Sequence, residues 1–184
     1  KVVVLGAKGM LGQELVQTFQ QGGEYEVHAF DADNLDVTNF SLLGEKLAEL
    51  SPDIILNAVA YNAVDACEQD ETEYQKAMLL NEEVPKQLAI LSTELGCTVV
   101  HYSTDYVFDG EVEGKISGCG SGTCCRGNCH SAEGEADYTE TATPHPLSRY
   151  GVSKLAGEQA VQHTAEHYYV IRLSKLFGKP ATSP

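Results

Sequence analysis

The chain runs to 184 residues, 42% of them hydrophobic, which is enough for one sizeable core and gives no reason to divide it. Its 27 acidic side chains against 12 basic ones leave a net charge of −15, which argues against nucleic acid or an anionic membrane surface as a main partner. No apolar run approaches the roughly 18 residues needed to cross a bilayer, and the first residues already follow a strand pattern, so no signal peptide is read here and the expected location is cytoplasmic.

Lys1 to Leu5 is a nearly all-apolar run ended by Gly6, the mark of a parallel strand buried on both faces. Leu11, Leu15 and Phe19 then repeat every fourth residue and predict a helix that Gly22 and Gly23 stop. Glu24 to Phe30 reads as the second strand, closing on Asp31. Phe40, Leu43, Leu47 and Leu50 predict a helix ended by Ser51-Pro52, and Asp53 to Ala58 reads as the third strand. From about Ala63 a polar helical stretch leads into a long helix with Leu80, Val84, Leu88, Leu91 and Leu95 on one stripe, closed by Gly96. Cys97 to Ser103 gives the fourth strand, a helix around Tyr150 follows, and Tyr168 to Leu173 gives the fifth. Strands alternating with helices imply βαβ units, hence a single Rossmann-type α/β domain over residues 1–184 with a doubly wound parallel sheet.

The pattern breaks between Asp109 and Pro146, where Gly, Ser, Glu and Cys replace the apolar periodicity. A cysteine-rich insertion over 111–137 carries Cys119, Cys124, Cys125, Cys129 and His130. Four thiols and an imidazole this close can hold Zn tetrahedrally, but the spacing matches no standard knuckle. Disulfides or a redox-sensitive flap compete with the metal. Cys67 and Cys97 lie in regular segments and read as ordinary buried residues of a cytosolic enzyme.

Gly6-x-x-Gly9-x-x-Gly12, directly after a strand and opening a helix, fits a dinucleotide pyrophosphate: a tight turn, close backbone approach, and close helix packing. Met10 and Leu11 fall in the same turn. Asp31, about 20 residues on, can accept hydrogen bonds from ribose hydroxyls and would repel a 2′-phosphate. Ala32 to Leu35 offers no arginine, which favours NAD(H) over NADP(H). Asp36 and Val37 can wall an adenine, while Asp36 or Thr38 can equally cap the next helix. Ala58, Ala60 and Tyr61 follow the third strand, where small residues let a nicotinamide ribose lie against backbone. Ser103-Thr104-Asp105 ends the fourth strand and can address a substrate carbonyl, with Tyr102 just before it. Tyr150 and Lys154, four apart on a helix, share one face, and the cation is expected to lower the phenol pKa so that Tyr150 serves as a general acid.

Together the glycine loop, Asn57-Ala58-Val59-Ala60-Tyr61 with Val64-Asp65-x-x-Glu68, His101 to Gly110, and Pro146-Leu147-Ser148-x-Tyr150-Gly151-x-Ser153-Lys154 resemble the dTDP-4-dehydrorhamnose reductase family, extended short-chain dehydrogenase/reductases. That resemblance implies NAD(P)H-dependent reduction of the 4-keto group of dTDP-4-dehydro-beta-L-rhamnose to dTDP-L-rhamnose. It implies Tyr150 as proton donor, Thr104 as carbonyl partner and Lys154 as the ribose-binding group, with tolerance of both cofactors. Set against what that resemblance implies, three departures are expected: Lys175 stands where family members commonly place a tryptophan on the substrate, a cysteine-rich loop stands where they have a short link, and the nucleotide-sugar lobe they carry further on is expected to be largely missing from these 184 residues. Thr104, Asp105 and Lys175 are the substrate-side candidates. The expected partners are a nucleotide-sugar substrate and a second copy in a homodimer. A non-catalytic subunit like the one that regulates methionine adenosyltransferase stays open, as does a related nucleotide-sugar epimerase or reductase.

Overall fold

The computed structural model describes residues 1–111, 138–178 and 180–182. The cysteines and histidine proposed for metal binding, Cys119, Cys124, Cys125, Cys129 and His130, lie outside the described residues, as does nearly all of the 111–137 insertion.

Five parallel strands form one sheet: β1 (Val2–Leu5), β2 (Val27–Phe30), β3 (Ile54–Asn57), β4 (Thr98–Thr104) and β5 (Tyr168–Leu173). Their order is β2-β1-β3-β4-β5, so the chain leaves the centre in one direction, returns, and continues in the other. Helices α1 (Met10–Gln21), α2 (Phe40–Leu50), α5 (Val84–Leu95) and α6 (Arg149–Thr164) supply the layers. Alternation along β1 explains why both faces are filled. Val3 and Leu5 join Leu43 and Leu47 of α2, Leu88 of α5 and Val161 of α6 in one core. Val2 and Val4 join Leu15, Val16 and Phe19 of α1 on the other face. Each buried Leu or Val adds about 1.5 to 3 kcal/mol of transfer free energy, so a strand lined on both faces is the natural centre.

The sheet matches the sequence reading, with two local differences. The second strand begins at Val27 and not at Glu24, because Tyr25 turns to pack edge-on against Phe19 at a ring separation of 5.2 Å. The stretch from Ala63 resolves into α3 (Val64–Gln69) and α4 (Glu71–Met78), and α4 runs into α5 through a π-helical turn at Leu79–Glu83. Asp70 separates α3 from α4 and caps α4, accepting from the Thr72 amide at 2.7 Å. No helix among the described residues is long and apolar enough to cross a membrane.

Candidate active site

The carboxyl ends of β1, β3 and β4 open onto two adjoining clefts of about 380 and 350 Å³, both lined by Gly9, Ala58, Val59, Ala60 and Asn62. The first extends to Asp31, Asp36 and Val37; the second to Thr104, Tyr150 and Lys154. Most of the sequence candidates therefore meet at one trough at the switch point between β1 and β3, where a doubly wound sheet places its ligand.

The glycines carry the expected geometry. Gly6 has φ +76°, and a Cβ there would lie 2.9 Å from the Ala58 carbonyl group. A Cβ on Gly12 would stand 2.0 Å from the Gly6 oxygen, so helix and strand could not approach as they do. No side chain caps α1, and Gly9, Met10 and Leu11 line the trough at its N-terminus, where backbone amides suit a phosphate. A dinucleotide fits this cradle on the chemistry of the residues present.

Asp31 differs from the open ribose acceptor expected. One oxygen accepts from the Lys8 amide and the other from the Ala32 amide, both at 2.8 Å, so its carboxylate also fastens the glycine loop to the end of β2. Lys8 Nζ pairs with Asp33 beside it, so the cation missing from Ala32 to Leu35 comes from the glycine loop. Neither Asp36 nor Thr38 caps α2. Asn39 does, accepting from the Leu42 amide, while Asp36 accepts from the Thr38 amide and hydroxyl, which holds its carboxyl below the usual range.

Around Tyr150 the geometry is tighter. Ser148 caps α6 by accepting from the Gly151 amide, and Glu68 of α3 accepts from the Arg149 amide, so the helix is gripped at the turn bearing the phenol. Tyr150 donates to Asn62 Oδ1 at 3.3 Å and packs edge-on against Tyr106. Lys154, 2% exposed, donates to the Tyr102 carbonyl at 2.7 Å.

The expected pKa effect is corrected. Burial pushes the Tyr150 phenol up, only partly offset by the hydrogen bond with Thr104, so the net shift is upward and not downward. Burial also brings Lys154 itself down to about 8, against a partial opposing pull from Glu158. Four-residue spacing guarantees a shared face; it does not guarantee that attraction exceeds desolvation. Because the folded lysine pKa lies below its unfolded value near 10.4, the unfolded chain binds more protons between those two values. The Lys154 contribution to stability should therefore rise with pH from about 8 toward about 10, and Lys154→Met should remove that positive contribution from the pH dependence seen in urea titrations. A slope unchanged by the substitution would refute this.

Thr104 lines the trough, yet its hydroxyl also donates to Asp105 and accepts from the Tyr106 amide, so it caps the 3₁₀ turn Asp105–Val107 as well. Asp105 faces a neighbouring cleft with Phe108 and Tyr138. Tyr61 turns away: its hydroxyl bonds Glu73, which drives its pKa up to about 12, and its ring packs near Cys67 and Tyr150. Lys175 is exposed over the Phe177 ring at 5.8 Å and lines neither half of the trough. Among the described residues no group of three or more His, Cys, Asp or Glu side chains is placed to hold a metal.

Sequence reasoning missed Asn62 and Asn81. Fully buried in the π turn, Asn81 accepts from the Tyr61 amide at 2.8 Å and donates to the Tyr61 carbonyl at 3.1 Å and to Ser153 at 3.0 Å. Its only sequence signal was a polar residue beside a leucine stripe. His101 also sits fully buried on β4, held neutral by burial, with Nδ1 bonded to Asn57.

The family model of the RmlD substrate binding domain matches residues 1–183. A dTDP-4-dehydrorhamnose reductase of Aggregatibacter actinomycetemcomitans is 32% identical over 97% of this chain and 52% of its own length. A Streptomyces antibioticus protein named "Probable dTDP-4,6-dihydroxy-2-methyloxan-3-one 4-ketoreductase" is 37% identical over 98% of this chain and 53% of its own. The crystal structure of dTDP-4-dehydrorhamnose reductase from Bacillus anthracis in complex with NADP superposes with a TM-score of 0.79 at 32% identity, covering 97% of this chain and 54% of that one. The chain thus spans about half the length of the curated relatives it matches.

Proposed function

The chain belongs to the family of the RmlD substrate binding domain, and on that premise we propose that it forms the cofactor-binding part of an NAD(P)H-dependent reductase of a 4-keto nucleotide sugar, dTDP-4-dehydro-beta-L-rhamnose giving dTDP-L-rhamnose. The observation that carries this reading is the convergence of Tyr150, Lys154 and Thr104 on the trough that the glycine loop opens. A reduced nicotinamide, when bound, supplies the hydride. Tyr150 gives its hydroxyl proton to the carbonyl oxygen, so C=O becomes CH–OH. Thr104 donates to the same oxygen and helps hold the charge that develops there. Lys154 holds the nicotinamide ribose while bracing on the Tyr102 carbonyl. Of the residues lining the trough, Gly9, Met10 and Leu11 would carry the pyrophosphate, Asp31, Asp36 and Val37 the adenosine, and Ala58 and Ala60 would wall the nicotinamide ribose.

Loss of reduced-nicotinamide absorbance on adding the dTDP-ketosugar tests this. Tight cofactor binding with no oxidation would favour a non-catalytic subunit instead. The Streptomyces antibioticus relative supports a neighbouring reading, reduction of another dTDP-linked 4-keto sugar, which product analysis separates. Assembly as a homodimer belongs to the same proposal and is tested by sedimentation.

For the cofactor, Lys8 is the group that admits a 2′-phosphate beside Asp31. Its pairing with Asp33 is an exposed ion pair of small net value, so an arriving phosphate can take the cation over. Lys8→Ala should weaken NADPH binding roughly tenfold and NADH binding less than about twofold in fluorescence titrations. Equal weakening of both would remove Lys8 from this role.

A further inference from the structure

The phenol and the platform it faces are held in one closed circuit. Asn81 grips the backbone of Tyr61 through both its amide and its carbonyl, which fixes the next residue, Asn62, against the trough. Through its third bond Asn81 reaches Ser153, and Ser153 donates at 2.7 Å to the carbonyl of Tyr150 itself. Gly157 packs so closely on the Asn81 carbonyl that a Cβ there would lie 1.9 Å from it. One buried amide thus sets the distance between two backbone segments, and the side chains that meet across the gap are Asn62 and Tyr150.

We propose that Asn62 is a further catalytic residue, whose carboxamide follows the proton of Tyr150: Oδ1 accepts from the phenol before transfer, and Nδ2 donates to the phenolate after it. This rests on the reading of Tyr150 as proton donor. A carboxamide carries one acceptor and one donor group on the same rotor, so it can serve either protonation state by turning over. The bond to the neutral phenol is long, 3.3 Å, so it is readily exchanged for a bond to a ketone oxygen. The bond to the phenolate is charge-assisted and stronger. Asn62 also lines both halves of the trough, so it stands beside the reacting centre and not behind it. The other groups facing the phenol are Tyr106 and Asp105 from the turn after β4, Thr104 at the end of β4, Cys67 of α3, and Lys154 on its own helix. Arg149 is engaged with Glu71 and the Tyr74 ring.

The test is titration of the chain labelled with ¹³Cζ-tyrosine, followed by NMR from about pH 8 to about pH 12, or to the highest pH at which the fold persists, with folding monitored alongside. The Tyr150 signal is the one missing in Tyr150→Phe. Asn62→Asp, which can only accept and adds a charge, should raise the Tyr150 ionisation by roughly one unit or more. Asn62→Ala, which removes the stronger bond to the phenolate, should raise it by about half as much. An ionisation unmoved or lowered in Asn62→Ala would overturn the proposal, since packing alone gives no reason for a selective shift. The titration needs neither substrate nor cofactor, so its outcome is independent of whether the ketosugar is reduced. Where turnover is measured, Asn62→Ala should lower kcat about tenfold with KM nearly unchanged; a raised KM at unchanged kcat would assign Asn62 to binding instead.

Discussion

Tyr150→Phe should lower turnover of the dTDP-ketosugar about a thousandfold while cofactor affinity stays within about threefold. The substitution removes one oxygen and leaves the ring, whose edge-on contact with Tyr106 and packing against Cys67 and Ala77 are apolar and persist. The lost hydroxyl leaves Asn62, which is exposed and can turn to water, and Thr104, which keeps its bonds to Asp105 and the Tyr106 amide, so neither partner is stranded. Folding is therefore kept and the proton is not. The cofactor keeps the glycine loop, Asp31 and Lys154, which explains the near-constant affinity. Circular dichroism checks the fold, fluorescence titration the affinity, and steady-state assays the turnover. A variant with more than about a tenth of the parent rate would exclude Tyr150 as donor.

Arg172→Ala should cost about 3 to 5 kcal/mol of stability, the largest effect expected from a residue outside the trough. Glu158 of α6 is fully buried, and Arg172 of β5 meets it with Nε bonded at 3.0 Å and a terminal nitrogen at 2.7 Å. The guanidinium also lies under the Phe108 ring, which stacks on Tyr138 at 4.0 Å. Removing the arginine strands a carboxylate in the core one turn beyond Lys154, and the group must then take up a proton or draw water inward. The double replacement Glu158→Leu with Arg172→Met should recover most of the loss, because a buried pair earns little beyond what apolar packing provides. For a chain of this length the single variant should unfold roughly 6 to 20 °C earlier in thermal scans. A fall below about 1 kcal/mol, or a double variant no better than the single, would show that the pair is not what closes α6 onto β5.

What the sequence revealed and what it hid have physical reasons. Val2 to Leu5, the leucine stripe of α5 and the glycine loop are local patterns, set by periods of 2 and 3.6 and by turn chemistry, so the sheet and the trough could be read directly. Tyr150 and Lys154 shared a face for the same reason. The direction of the phenol shift could not be read, because it depends on how much water the fold removes. The Asn81 circuit joins residues 20 and 72 positions apart, and the Arg172 pair joins a helix to a strand, distances over which periodicity carries no information. The cap of α2 was misplaced by one to three residues because Asp36, Thr38 and Asn39 are all good caps and only the backbone path chooses among them.

The most direct measurement is a crystal structure of the chain grown with NADPH. The pyrophosphate should lie on the amides around Gly9, Met10 and Leu11, with the nicotinamide ribose within about 3 Å of both Tyr150 Oη and Lys154 Nζ. A dinucleotide seated away from the trough, or one whose nicotinamide end points away from Tyr150, would contradict the proposed chemistry at its root.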